Sequence, residues 1–217
     1  MSKLIGVITG DLFRSTAGLT RGIIYQRVMQ QLEQTIVSHP RFDVAEMELF
    51  RGDAFQITLN DPSTLPELAA WLRASLMALP EEQDGVRYDA RMSLTIFTRN
   101  RYSSFKESAF EQAHIVSGRN LETLDKKNMM VFGSDRPALD APLRALIALL
   151  DPLLTMLSRP QAEVLQRAMA EMKVDTTALA AAMGSSRQNV HKLVTRSGCE
   201  NIIAALLTIG EHIRMES

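Results

Sequence analysis

Two aspartates carry most of the chemistry that the N-terminal half of this sequence offers. Asp11 closes an apolar run in Ile8-Thr9-Gly10-Asp11-Leu12, and Asp53 sits at a hairpin tip in Arg51-Gly52-Asp53-Ala54-Phe55-Gln56. If the end of the first strand lies beside that tip, the two carboxylates can share Mg²⁺ ions bound to a triphosphate. Arg14, Ser15, Thr16 and Gly18 follow Asp11 and lead into a helix start, where backbone N–H groups can hold phosphate. Asp11, Arg14, Ser15 and Asp53 are therefore the candidate nucleotide-binding residues, with Asp11 and Asp53 as the metal ligands. Taken singly, each aspartate reads as an ordinary turn former.

A second constellation lies in Thr-Thr-Ala-Leu-Ala-Ala-Ala-Met-Gly-Ser-Ser-Arg-Gln-Asn-Val-His-Lys-Leu-Val-Thr, residues 176–195. In the helix-turn-helix pattern that this stretch resembles, a small residue lets two helices cross and a residue tolerant of positive φ makes the turn, and Ala180 and Gly184 take those places. Val190, Leu193 and Val194 form an i, i+3, i+4 apolar stripe. Ser185 with Gln188, and Ser158 with Gln161, have capping-box spacing. The segment resembles the helix-turn-helix of bacterial DNA-binding proteins. That resemblance implies a recognition helix exposing Ser186, Arg187, Gln188, His191 and Lys192 to double-stranded DNA. Arg and Gln suit guanine and adenine edges, while Lys and Ser suit phosphates. The alternative is a plain helical bundle with a solvated charged face.

The elements that must position these residues follow from periodicity. Residues 4–9 read as a buried strand, residues 20–36 as a helix stopped at His39-Pro40, and residues 41–50 and 54–60 as a hairpin. Leu65, Leu68, Leu72, Leu76 and Leu79 mark an amphipathic helix, and Tyr88, Ala90, Met92, Leu94 and Ile96 alternate as a strand. A helix around Ala109–Val116 and a short strand at residues 129–132 complete β-α-β-β-α-β-α-β. The expectation is an α/β (α+β) fold: a ferredoxin-like, palm-type sheet with helices on one face, followed by an all-α helix-turn-helix domain. The boundaries are 1–134 for the palm-like domain, 135–157 for a connecting helix broken or kinked at Pro152, and 158–217 for the helix-turn-helix domain. Residues 200–213 carry more apolar side chains than one small bundle needs. That surplus reads either as core or as a dimerisation face, and a homodimer assembled there, through the sheet, or both, is expected.

The 217 residues are 46% hydrophobic and 23% charged, which argues against extensive disorder. With 24 basic and 25 acidic residues, any nucleic-acid contact must come from a local patch. The lone Cys199 excludes an internal disulfide, and no segment reads as a signal peptide or membrane span. A cytoplasmic protein with no membrane partner is expected. There is no Walker loop, dinucleotide fingerprint or nucleophile elbow, and the four histidines lack metal spacing.

Ile8-Thr9-Gly10-Asp11-Leu12, Arg51-Gly52-Asp53-Ala54-Phe55-Gln56 and Ser117-Gly118-Arg119 together resemble the SatD-like family of bacterial proteins. That resemblance implies an N-terminal domain joined to a C-terminal helix-turn-helix. More remotely, Asp11-Leu12 and Gly52-Asp53-Ala54-Phe55 resemble the metal-binding strand and hairpin of class III nucleotidyl cyclases, and the hairpin resembles that of diguanylate cyclases. This likeness makes Asp11 and Asp53 metal ligands, with Mg²⁺ as the implied ion. The sequence departs from both patterns. Arg51 and Ala54 stand where diguanylate cyclases carry a glycine and an acid. Glu111 and Ile115 stand where class III cyclases carry the asparagine and arginine that stabilise the transition state, and neither can neutralise phosphoryl charge.

The reading is a DNA-binding transcriptional regulator whose N-terminal domain senses a ligand, a nucleotide with Mg²⁺, or mediates dimerisation. The alternative is a metal-dependent nucleotidyl cyclase or transferase with an appended DNA-binding domain.

Overall fold

A computed structural model describes residues 3–13, 19–50, 53–80, 87–99 and 108–217. Five strands form one sheet: β1 (Lys3–Leu12), β2 (Val44–Phe50), β3 (Ala54–Leu59), β4 (Ala90–Arg99) and β5 (Met130–Ser134), in spatial order β2-β3-β1-β4-β5. β1 is central and antiparallel to both β3 and β4, and β2 pairs antiparallel with β3. With α1 (Leu19–Val37) and α2 (Leu65–Ala78) this is the β-α-β-β-α-β arrangement of a palm. A third helix, α3 (Ser108–Glu122), then crosses over to β5, which adds parallel to β4.

The period of two along β1 divides the core. Leu4, Ile8 and Leu12 face one side and join Met29 and Ile36 of α1 and Leu68 and Leu72 of α2. Ile5 and Val7 face the other side, against Ala113 of α3. Helices on one face was the expectation; it holds for α1 and α2 and is corrected for α3. The reason is on β4, whose alternate residues Ser93 and Thr95 are fully buried beneath α3. Ser117 Oγ donates to Ser93 O at 3.2 Å, so small polar side chains let this helix approach closely.

The remaining helices are α4 (Pro137–Thr155), α5 (Arg159–Met169), α6 (Thr176–Ala182), α7 (Arg187–Ser197) and α8 (Cys199–Met215). α4 packs along β5, α5 along α2, and α8 against the 3-10 turn Pro62–Thr64 that precedes α2. Two expectations change here. α2 is not amphipathic in place, since every residue from Leu65 to Met77 is buried between the sheet and the C-terminal helices. α4 is not broken at Pro152 but runs through it; Pro152 and Ala148, whose carbonyl loses its partner, both lie on the exposed side.

One polar group sits inside this core. Arg73 of α2 is 0% exposed. Its Nε and Nη2 donate to Asp89 at 2.9 and 2.8 Å, Nη1 to Asp151 Oδ1 at 2.7 Å, and Nη2 also to Thr155 Oγ1 at 2.9 Å. Asp151 Oδ2 accepts from the backbone N–H groups of Met129 and Met130 at 2.8 and 3.1 Å. The cluster joins α2, α4 and the starts of β4 and β5.

Candidate functional site

Asp11 is the penultimate residue of β1, paired with Ala54 on β3 and Arg91 on β4. The hairpin tip is drawn to it: Leu12 N–H donates to Asp53 O at 2.9 Å. Gly10 sets this local geometry. A Cβ there would stand 2.4 Å from Phe55 Cζ and 2.8 Å from Arg91 O, so only glycine lets the Phe55 ring cross over β1 beside Asp11. The two sequence-predicted aspartates therefore do meet at one end of the sheet.

Their electrostatics are those of an acid pair with one cation. Burial raises the Asp11 carboxyl above its ordinary value; Arg91 opposes that shift, and the nearby Asp53 carboxylate adds to it. Arg91 Nη1 lies 3.9 Å from Asp11 Oδ2, and Arg91 Nη2 donates to Leu124 O at 3.1 Å. Its Nε is buried with no hydrogen-bond partner. Arg91 was not anticipated as part of the site. The signal was its position directly before the Met92-Leu94-Ile96 alternation, on the face opposite to them.

Mg²⁺ is held by one or two carboxylates plus water and phosphate oxygens, and Asp11 with Asp53 supplies that donor set. Among the described residues no group of three or more His, Cys, Asp or Glu side chains forms a site for a metal. The residues fit an ion that arrives with a phosphate ligand better than one held by protein alone. Arg14, Ser15, Thr16 and Gly18, expected to cradle that phosphate, lie outside the described residues. On α3, Ile115 is 50% exposed.

The second constellation is built by α6 and α7. Gly184 has φ +58°, and its N–H donates to Ala181 O while Ser185 N–H donates to Ala180 O, a Schellman ending that turns the chain into α7. Ala180, Val190 and Val194 are buried at the crossing, and Leu193 is half-buried. The cap differs by one residue from the expected Ser185: Ser186 is the N-cap, its Oγ accepting from Asn189 N–H at 3.2 Å, while Ser185 Oγ accepts from Asn189 Nδ2. The Ser158–Gln161 device is present, with Ser158 N–H donating to Gln161 Oε1 at 2.8 Å.

Ser186, Arg187, Gln188, His191 and Lys192 are all exposed on one side of α7, joined by Asn189, which the sequence analysis did not single out. Asp175 caps α6 and is held below the usual carboxylate range by the backbone N–H groups of Ala178 and Thr177, with Lys173 and Arg187 contributing. The other histidines are engaged elsewhere: His114 with Thr58 Oγ1, His39 stacked on Phe42, His212 with Ala138 O. Cys199 is buried and its thiol is pushed up to about 12, chiefly by burial, which makes it inert.

Most of the apolar surplus of α8 packs inside this chain, while Leu207 (42% exposed) and Met215 (77%) stay at the surface. Ile202, Ile203, Leu206 and Ile213 are buried within this chain. Another exposed apolar stripe lies on α4, at Leu149 (69% exposed), Leu153 (47%) and Met156 (72%). Among the described residues, no helix is long and apolar enough to cross a membrane.

No protein-family model matches this chain, and no curated protein matches it. Among solved structures, the chain is similar to the active GGEEF domain of a diguanylate cyclase from Vibrio cholerae. The match has 12% sequence identity and a TM-score of 0.44, over 62% of this chain and 84% of that one.

Proposed function

We propose that this chain is a cytoplasmic, SatD-like DNA-binding transcriptional regulator that works as a homodimer and senses a nucleotide with Mg²⁺ at Asp11 and Asp53. The observation that carries the reading is the exposed side of α7, which presents Arg187, Gln188, His191 and Lys192 with no acid anywhere on the helix. Selection of bound duplexes from a random-sequence pool tests it. A consensus should emerge with two half-sites about 10 base pairs apart, or a multiple of that. Recovery of unselected sequence would reject it.

The ligand half of the reading rests on the placement of Asp11 beside the hairpin tip that carries Asp53, with the raised Asp11 carboxyl in support. Because folding raises this group, its contribution to stability is present at pH below the ordinary aspartate value and is lost as pH rises through the raised one. At neutral pH the ionised Asp11 is therefore a cost that Arg91 offsets in part and a bound cation relieves further. Mg²⁺ with a nucleoside triphosphate should raise the melting temperature of the wild type, by about 2.7 kcal/mol of stability at 100 times the dissociation constant. Asp11→Asn should abolish that shift without lowering the melting temperature of the free protein. A shift that survives in both Asp11→Asn and Asp53→Asn would place the ligand elsewhere.

Binding without turnover is the accompanying proposal, because Glu111 and Ile115 supply no cation for a transferring phosphoryl group. The competing nucleotidyl cyclase or transferase reading is favoured by the meeting of Asp11 and Asp53. Incubation with Mg²⁺ or Mn²⁺ and each triphosphate decides between them: a cyclic or linked product that disappears in Asp53→Ala makes the enzyme reading correct.

The second copy is expected on the α4 stripe. Light scattering at micromolar concentration should give twice the chain's mass for the wild type. Leu149→Glu with Met156→Glu should give a monomer that still unfolds cooperatively, with a melting temperature that no longer depends on protein concentration, since both side chains are exposed. A monomeric wild type, with and without DNA, would rule out the dimer.

A further inference from the structure

We propose that Phe50 is the seat of the base of the nucleotide placed above at Asp11 and Asp53, with the phosphates running from Asp11 toward Arg91; this deepens that reading and rests on it. Register fixes the arrangement. Ala54 pairs with Phe50 on β2 and with Asp11 on β1, and Asp11 pairs with Arg91 on β4. Residues directly opposite one another in antiparallel strands share a face, so Phe50, Ala54, Asp11 and Arg91 form one row across the sheet. The row lies on the face away from α1 and α2. Leu49 and Phe55, the chain neighbours of Phe50 and Ala54, pack into the core on the other side.

The row is open to solvent. Phe50 is 42% exposed, and the Asp11 and Arg91 side chains are 35% and 24% exposed. α3 covers this face farther along the strands, where Val7, Thr58 and Thr95 are buried and His114 Nε2 meets Thr58 Oγ1 at 3.1 Å. Among the described residues no other aromatic ring lies against Phe50. An exposed ring of this kind is a stacking surface, because every nucleobase has a π-face. Strands lie about 4.8 Å apart, so Phe50 stands two spacings from Asp11, about 10 Å, a span that a ribose and its first phosphates bridge. Ala54 has no side chain beyond Cβ, which keeps the floor between them low.

Charge sets the direction of the ligand. Glu48, two residues before Phe50 and exposed on the same face, repels phosphate at the β2 end of the row. Arg91 is the cation at the β4 end. Its Nη1 stands 3.9 Å from Asp11 Oδ2, so a phosphate brought to Asp11 with Mg²⁺ arrives beside a guanidinium.

Calorimetric titration of the full-length protein with Mg²⁺ compares ATP, GTP, CTP and UTP with inorganic tripolyphosphate, which has the phosphates and no base. At least one nucleoside triphosphate should bind the wild type about tenfold or more tighter than tripolyphosphate. Phe50→Ala should remove that advantage while leaving tripolyphosphate binding and the melting temperature of the free protein unchanged, since the ring is exposed. Phe50→Trp should keep the advantage, and Arg91→Gln should weaken both kinds of ligand alike. Binding of neither kind removes the nucleotide reading and this inference with it. Triphosphates that bind no tighter than tripolyphosphate overturn the seat at Phe50 alone and leave the reading at Asp11 and Asp53 intact. Undiminished nucleotide binding in Phe50→Ala, or an equal loss of tripolyphosphate, does the same. Undiminished binding in Arg91→Gln overturns the direction.

Discussion

Arg73→Ala is expected to cost about 3–5 kcal/mol of folding stability, the largest effect of any single substitution away from the apolar core. The substitution leaves Asp89 and Asp151, 8% and 5% exposed, facing each other without a cation. Two buried like charges then lose the group that offsets their desolvation. Asp151→Ala should be nearly as damaging for a different reason. It strands one side of the Arg73 guanidinium and also leaves the Met129 and Met130 N–H groups unpaired at the start of β5. Arg73→Lys should not rescue either loss, because an ammonium cannot reproduce a fork that addresses Asp89, Asp151 and Thr155 together. Urea unfolding followed by circular dichroism measures this as a lower midpoint at an unchanged slope. A loss under about 1 kcal/mol for Arg73→Ala would show that water or rearranged side chains already solvate the cluster. The acid pair depends on the same lock: Phe13 N–H, two residues beyond Asp11, donates to Asp89 O at 2.9 Å.

That cluster also shows where sequence reading stops. The strands were legible because their alternation is local: Phe55, Ile57 and Leu59 of β3 are all fully buried on one face. The meeting of Asp11 and Asp53 was legible because the order β-α-β-β already places strand one beside the hairpin. α2 was misread because Leu65, Leu68, Leu72 and Leu76 describe one apolar face, while Ala69, Ala70 and Ala74 build the second out of side chains of little hydropathy. The charged Arg73 in the middle of that helix was the available signal for burial on all sides. Its partner Asp151 lies 78 residues away, where it reads only as an interruption of an apolar helix. Pairings at that separation leave no mark in local periodicity. The surplus of α8 was legible as a surplus, but its destination was not. Gly210 packs so closely on the 3-10 turn that an added Cβ would stand 3.0 Å from Ser63 O, so this face of α8 serves the core of its own chain.

Under the proposed DNA-binding function, α7 should divide its residues by the kind of DNA contact each can make. Arg187→Ala and Gln188→Ala are expected to cost about 1–3 kcal/mol each at the selected site and to relax the base preference there. Guanidinium and amide groups address two atoms of one base edge, which a truncated side chain cannot do. Lys192→Ala should weaken all sequences alike and reduce the slope of log affinity against log salt by about 0.9, the signature of one lost phosphate contact. Ser186 is expected to behave differently from both. Its Oγ already accepts from Asn189 N–H, so only its proton remains for a phosphate, and Ser186→Ala should also loosen the start of α7. Fluorescence anisotropy with selected and scrambled duplexes at several salt concentrations separates these outcomes. Wild type and an Arg187→Ala, Lys192→Ala double variant binding both duplexes equally would remove α7 from the interface and, with it, the DNA-binding reading.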